Sequence, residues 1–319
     1  MRTAPLALAG LLLAGCSDAG SAPERPARAQ APASAAPTAA SKGCARPAPK
    51  TGRHRFGGRA YLLTRPNGDG RTPAPLIVDL HGLNSTGFEQ AIYGRLANAG
   101  SARGFIVVEP DGAATRRGWK LPGMPGGSAD IVYTRALLAH LERTLCVDPG
   151  RVFATGFSNG GGLAAALVCG LPGRLRGVAA VAGLNLARPC PDARPATVVA
   201  FHGSSDRIIP YGGGVPFEGD RSRVPPWMRP VTGDFVLPSV TGSVAAWARA
   251  LGCGPAVRDA PRGEIARVGH GSCRGGARVE LYTVIGGGHT WPGSIPIPTG
   301  RTTRQIDATA LILNAFSRP

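Results

Sequence analysis

A chain of 319 residues, 43% of them hydrophobic, is long enough for one large α/β domain rather than two small ones. Its formal charge of +17 comes almost wholly from Arg, with Lys only at Lys42, Lys50 and Lys120. The Arg are scattered, with no basic helix and no interleaved aromatics, which speaks for a solvated basic surface and against a nucleic-acid partner. No Cys-x-x-Cys or Cys/His cluster has metal-ligand spacing, so no metal and no other cofactor is expected.

Residues 1–16 read as an export signal. One positive charge, Arg2, precedes an apolar stretch too short to span a bilayer. The stretch ends in Leu13-Ala14-Gly15-Cys16, which resembles a bacterial lipobox, where the Cys is lipidated and becomes the mature N-terminus. The alternative is an ordinary cleaved signal with a chance Cys. Residues 17–43 are rich in Ala, Pro, Ser and Arg without an apolar period. Such a segment cannot bury enough surface to fold and reads as a disordered tether. The folded domain is then 44–319, exported and held at a membrane through Cys16.

Six further Cys remain: Cys44, Cys146, Cys169, Cys190, Cys253 and Cys273. An even number in an exported chain favours disulfides, although spacing alone leaves the connectivity open. Order along the chain suggests Cys169–Cys190 and Cys253–Cys273, each closing a loop of about 20 residues and worth roughly 3 kcal/mol. Cys44 would then tie the start of the domain to Cys146.

Residues 58–64 alternate as an early strand, and Asn67-Gly68-Asp69-Gly70 is turn chemistry. Residues 75–80 are a continuous apolar run, as expected of a parallel strand covered on both faces, and they end in His81-Gly82-Leu83-Asn84. Residues 88–100 read as helix, 105–110 as strand, and Ser128 is placed to cap a helix running to about Leu145. Residues 151–155 are strand and 163–168 helix. Between them lies Gly156-Phe157-Ser158-Asn159-Gly160, a glycine-flanked turn that carries a Ser at a strand–helix junction. On the pentapeptide alone an ordinary tight turn is the competing reading. Further strands follow at 177–182 and 196–202, then a Gly/Pro-rich insertion at 211–238, a helix at 239–252, a strand at 278–285 and a helix at 303–316. Alternating strands and helices argue a mostly parallel central sheet with helices on both faces.

A hydroxyl nucleophile needs a base, and the base needs an acid that fixes its tautomer. Two His follow Ser158 in plausible late positions. His289 lies after a strand and three Gly; His270 lies in a loop between Cys253 and Cys273, as a surface turn would. His289 is preferred. Among the acidic residues between Ser158 and His289, Asp206 alone follows directly on a buried strand end, with Asp234 the rival. The oxyanion of an attacked acyl group would need donors in place, expected from the backbone N–H groups of Asn159 and Leu83. His81, at a strand end beside that loop, suits a structural hydrogen bond better than a catalytic role.

Leu80-His81-Gly82, Thr155-Gly156-Phe157-Ser158-Asn159-Gly160, His202-Gly203-Ser204-Ser205-Asp206 and Gly286-Gly287-Gly288-His289-Thr290-Trp291-Pro292-Gly293 together resemble the polyhydroxybutyrate depolymerase/feruloyl esterase family, which includes the LpqC-like lipoprotein esterases. The resemblance covers about Cys44 to the C-terminus and implies an α/β-hydrolase fold. It implies Ser158 as nucleophile, Asp206 as acid and His289 as base, with Trp291 shaping the pocket beside the base. Trp291 equally suits half-buried packing. Asn159 stands where many relatives have Ala, and Leu83 where many have Cys.

The expectation is therefore an exported serine esterase, either a cell-envelope lipoprotein or secreted, acting on small or oligomeric esters: short-chain acyl, feruloyl, acetyl or hydroxyalkanoate. Phe217, Trp227 and Phe235 in the insertion are expected to line an acyl or phenolic pocket. No separate polymer-binding domain follows residue 319, so solid polyhydroxybutyrate is the less expected substrate. A non-catalytic envelope-binding lipoprotein is the reading from another class.

Overall fold

The computed structural model describes residues 40–115, 117–230 and 234–318. The signal, the lipobox Cys16 and nearly all of the expected tether lie outside the described residues. Ten strands form one sheet: β1 (Gly52–Phe56), β2 (Arg59–Thr64), β3 (Ala74–Leu80), β4 (Ile106–Pro110), β5 (Val147–Phe157), β6 (Gly177–Val181), β7 (Thr197–Gly203), β8 (Ala256–Arg258), β9 (Ile265–His270) and β10 (Val279–Val284). Their order is β1-β2-β4-β3-β5-β6-β7-β10-β9-β8. The six strands from β4 to β10 run parallel, and antiparallel pairs close both edges.

Period-two alternation divides the strands between two cores. Leu76, Val78 and Leu80 of β3 and Val198 and Ala200 of β7 face one core, which also holds Leu137, Leu141, Leu163 and Trp247. Ile77, Phe153, Val199 and Phe201 face the other, packed on Leu96, Ile312, Leu313 and Phe316. The helices divide accordingly. Those at Ala129–Thr144 (α3), Asn159–Gly170 (α4) and Val240–Ala250 (α5) cover the first face, and those at Leu96–Ser101 (α2) and Ala308–Ser317 (α6) cover the second. The central strands are buried on both sides, which is why they read as unbroken apolar runs.

Several boundaries differ from the sequence expectation. The helix expected over 88–100 is two helices, α1 (Gly87–Gly94) and α2, broken at Arg95, whose φ is 54°. Ser128 precedes α3 but makes no side-chain capping bond. Ser239 does cap α5, accepting from Gly242 N–H at 3.0 Å. Strands β1, β8 and β9 were not expected: all three lie toward the sheet edges, β1 and β8 are largely exposed, and β9 is short and only partly buried, so none carries a clear apolar period. His270, expected in a surface turn, ends β9 opposite Val279, at the start of β10 and so at the end of the sheet away from His289.

The six described Cys form Cys44–Cys146, Cys169–Cys190 and Cys253–Cys273, the pairs that chain order suggests. The first anchors a short turn at Lys42–Ala45, and Ser41 is already fixed there, its Oγ donating to Leu145 O at 2.7 Å. No helix among the described residues is long and apolar enough to cross a membrane.

Candidate active site

The site lies at the C-terminal ends of the parallel strands, where loops from β3, β5, β7 and β10 meet. Strand β5 runs without a break into Ser158, which takes φ 54° and ψ −120° before α4 begins. That conformation is strained for a residue with a Cβ, and it lifts the Ser side chain clear of the backbone. The two flanking glycines are required by close approach: a Cβ on Gly156 would lie 2.6 Å from Leu80 O, and one on Gly160 only 2.1 Å from the same oxygen. Ser158 N–H donates to Val181 O at 2.8 Å, fixing the turn to β6.

Strand β7 delivers Asp206, and the glycine-rich turn after β10 delivers His289. The two turns are laced together by Ser204 N–H to Val284 O at 2.9 Å and Ser205 N–H to Gly287 O at 2.9 Å. His289 Nδ1 lies 2.7 Å from Asp206 Oδ2, with both side chains buried. The other carboxylate oxygen accepts N–H groups from Ile208 at 2.8 Å and Ile209 at 2.9 Å. Burial alone would raise the Asp206 carboxyl. The adjacent His289 and the hydrogen bonds from His202 and His289 outweigh it and hold the group well below the usual carboxylate range. Asp234, the rival acid, is exposed and paired with Arg221 at 2.9 Å.

Ser158 and His289 line one cavity of about 520 Å³. Among the described residues Ser158 Oγ makes no hydrogen bond to the imidazole; such bonds often tighten only when substrate is bound. Leu83 and Asn159 line the same cavity. Asn159 is the first residue of α4, so its N–H has no intrahelical partner. Leu83 N–H likewise has no protein acceptor among the described residues. Two free donors thus flank the Ser at the cavity floor.

The Asn159 side chain has a second task. Its Oδ1 accepts Trp119 N–H at 2.7 Å and its Nδ2 donates to Trp119 O at 2.9 Å. Arg117 O, two residues earlier, accepts Asn84 N–H at 2.7 Å. One segment, 117–119, therefore braces both the Leu83 loop and the Ser158 turn. His81 is structural: buried, its Nε2 accepts Gly112 N–H at 2.8 Å and its Nδ1 donates to Gly82 O at 2.6 Å.

The cavity wall corrects the expected pocket. Trp291 is fully buried in the core beside α6, with its Nε1 donating to Thr309 Oγ1 at 3.0 Å, and it does not line the cavity. Its apolar body outweighs its closeness in sequence to His289. Phe217 does line the cavity, and Trp227 does not. A Cβ on Gly118 would lie 3.0 Å from the Trp227 ring and 3.1 Å from Leu83 Cδ1, so Trp227 packs over the bracing segment instead. Phe235 lines a separate surface hollow with Arg221 and Asp234. The wall is mainly aliphatic, from Leu186, Ile208, Ile209, Met228, Ile295 and Ile297. Sequence reasoning missed these, although Ile208 and Ile209 directly follow Asp206, and Ile295 and Ile297 are isolated apolar residues in a Pro/Gly loop.

No protein-family model matches the chain. It is 32% identical over 272 residues to a protein of Nocardia uniformis subsp. tsuyamanensis named "Putative esterase NocK", covering 78% of this chain and 76% of that one. It is 29% identical over 240 residues to feruloyl esterase B of Piromyces equi, covering 72% of this chain but only 42% of that enzyme. It is 34% identical over 186 residues to feruloyl esterase C of Emericella nidulans, covering 55% of this chain and 65% of that enzyme. Among solved structures, an acetyl xylan esterase from Aspergillus awamori superposes with a TM-score of 0.55 at 14% identity, covering 81% of this chain and 93% of that one. That likeness concerns the fold alone. Strand order, the turn at Ser158 and these sequence matches agree: the chain has the α/β-hydrolase fold and belongs to the same esterase family as the Nocardia protein.

Proposed function

We propose that the chain is a serine esterase in which Ser158 is the nucleophile, His289 the base and Asp206 the acid that orients it. The observation that carries this reading is the 2.7 Å bond from His289 Nδ1 to Asp206, which presents the imidazole to the cavity that Ser158 also lines. Ser158 Oγ attacks the ester carbonyl carbon and its proton passes to His289 Nε2. The oxyanion takes the free N–H groups of Leu83 and Asn159. The tetrahedral adduct collapses, His289 gives its proton to the leaving alcohol, and an acyl-enzyme remains. Water then attacks with His289 as base, releasing the acid and restoring Ser158.

The substrate class follows the wall. A cavity of about 520 Å³ is of small-molecule size, and its aliphatic lining suits a short acyl chain or the ring of an aromatic acid. Short-chain acyl esters and feruloyl or acetyl esters are therefore the proposed substrates. Hydroxyalkanoate oligomers come next, and solid polyhydroxybutyrate is the alternative. The three disulfides fit an exported protein. On the sequence pattern, residues 1–16 are proposed as a lipoprotein signal, Cys16 as the lipidated residue that holds the enzyme at a membrane, 17–43 as a tether whose last residues, 41–43, already pack on the domain, and 44–319 as the catalytic domain.

The test is labelling by a fluorophosphonate probe, which should mark the wild type and leave Ser158→Ala unmarked. Equal labelling of both would overturn the nucleophile. Mass spectrometry of the exported protein should find a diacylglycerol on Cys16; a mature chain starting elsewhere without lipid would refute the anchor.

A further inference from the structure

Asp206 Oδ2 has two imidazoles in reach. His289 Nδ1 lies at 2.7 Å, and His202 Nε2, four residues before Asp206, lies at 3.2 Å. His202 is the penultimate residue of β7, 2% exposed, and paired across the sheet with Thr283 of β10. The same Nε2 lies 2.8 Å from Ile209 O. Both neighbours can only accept, a carbonyl and an ionised carboxylate, so the hydrogen of this ring sits on Nε2, bonded to Ile209 O with Asp206 Oδ2 alongside. His202 Nδ1 is buried with no hydrogen-bond partner among the described residues. A proton placed there would meet no acceptor. The polar atom of the ring that finds partners is therefore Nε2, at Ile209 O and beside the acid.

We propose that His202 is a positioning residue for the esterase reaction, holding the Asp206 carboxylate in the plane that meets His289 and moderating its negative charge through the shared oxygen. The proposal rests on the assignment of Asp206 as the acid.

The geometry gives the reason. Asp206 sits in a tight turn, and its Oδ1 is fixed by the N–H groups of Ile208 and Ile209. Two donors on one oxygen do not set the rotation of the carboxylate about its Cβ–Cγ bond as firmly as donors on both. His202 places a second N–H beside Oδ2, in addition to His289, from the end of strand β7. It also ties Ile209 O, so the loop that feeds Oδ1 and the strand that feeds Oδ2 are joined at one ring. The titratable groups packed against this ring are Asp206 and Tyr211, whose ring centre lies 6.0 Å away and whose hydroxyl is bound to Thr283 Oγ1 at 2.8 Å. The ring's N–H withdraws charge from the oxygen that also faces His289. Removing it makes the Asp206–His289 pair hold a proton more tightly, and the acid limb of the pH–rate profile then moves to higher pH.

The test compares three variants in kcat/KM on a soluble chromogenic acetate across pH, with circular dichroism to check folding. His202→Leu should lose about 10- to 100-fold at neutral pH, the loss of one hydrogen bond to a charged group, and shift the acid limb upward. His202→Gln, whose side-chain amide reaches the place of Nε2, should retain activity within about threefold and keep the wild-type limb. His202→Asn places its amide near Nδ1, short of Oδ2, and should resemble Leu; it replaces Leu in the comparison if Leu does not fold. An unshifted acid limb in the folded Leu or Asn variant, whatever its rate, would overturn the proposal, as would a Gln variant as poor as Leu. Full activity in Asp206→Asn would instead sink the acid assignment and is read separately.

Discussion

Asn159 closes a ring of two hydrogen bonds with the backbone of Trp119, taking its N–H at 2.7 Å and giving to its O at 2.9 Å. The pairing joins the residue after Ser158 to a segment that also holds the Leu83 loop through Arg117 O. Asn159→Ala keeps the backbone N–H but leaves two buried Trp119 groups unpaired. Stability should fall by about 2 kcal/mol, seen as a drop in Tm of roughly 3–6 °C. Loss of alignment between the two proposed oxyanion donors should lower kcat about 10- to 100-fold with little change in KM. A variant with wild-type kcat would show that the brace does not set the donors.

The three residues of the proposed triad should be expendable for folding and indispensable for turnover. Ser158→Ala and His289→Ala should each lower kcat by about 10⁴-fold with unchanged circular dichroism. Asp206→Asn should be severe as well. If Asp234→Asn were worse, the acid would be misassigned; its exposed pairing with Arg221 predicts a mild effect.

The pH profile should rise toward neutrality and not fall again for want of Asp206. The base accepts a proton only when neutral, so kcat/KM should climb with pH as the imidazole loses its proton. Asp206 lies well below the usual carboxylate range, so it stays ionised throughout that climb. Its depressed value also means that the stability it lends is present above the ordinary carboxylate range and is lost only in strong acid. A flat profile from about pH 5 to about pH 8 would exclude a His base.

A pair of buried acids should tie stability to pH with the opposite sign. Glu109 of β4 is buried with neither carboxylate oxygen partnered among the described residues, and burial followed by the nearby Asp79 pushes it up to about 9. Asp79 of β3, bonded to Gln90, is pushed up by burial to about 7. Both are raised above their unfolded values, so the folded state is favoured while they are protonated. That contribution is lost as pH rises through neutrality and on toward 9. Glu109→Gln should therefore narrow the fall in Tm between mildly acidic and alkaline buffer. An unchanged fall would place the titrating group elsewhere.

Cavity and core aromatics should separate cleanly. Phe217→Ala should shift the ratio of kcat/KM between feruloyl and acetyl esters by about tenfold, since a wall contact is lost for one acyl group and not the other. Trp291→Ala should cost about 3–5 kcal/mol in stability and leave that ratio near the wild type. Trp227→Ala, acting through Gly118 and Leu83, should lower kcat on both esters alike. Equal loss of selectivity in all three would dissolve the distinction between wall and core.

The sequence by itself determined the elements that are periodic or locally constrained. Buried parallel strands such as 75–80 and 196–202 show as apolar runs because both faces are covered. The turn at Ser158 shows because no residue larger than Gly fits beside Leu80 O on either side of it. Order along the chain was enough to suggest the disulfide pairs. The tertiary structure decided what depends on where a side chain points and what stands against it. Trp291 sits two residues from His289, but its ring turns into the core, while Ile208, Ile297 and Met228 from three separate segments make the cavity wall. The second imidazole on Asp206 is of the same kind. His202 was legible as part of a motif, but only the twist of β7 and the tight turn after it bring its Nε2 within 3.2 Å of the acid. A cavity and a hydrogen-bond network are made of distances between segments far apart in sequence, and no local pattern encodes a distance of that kind.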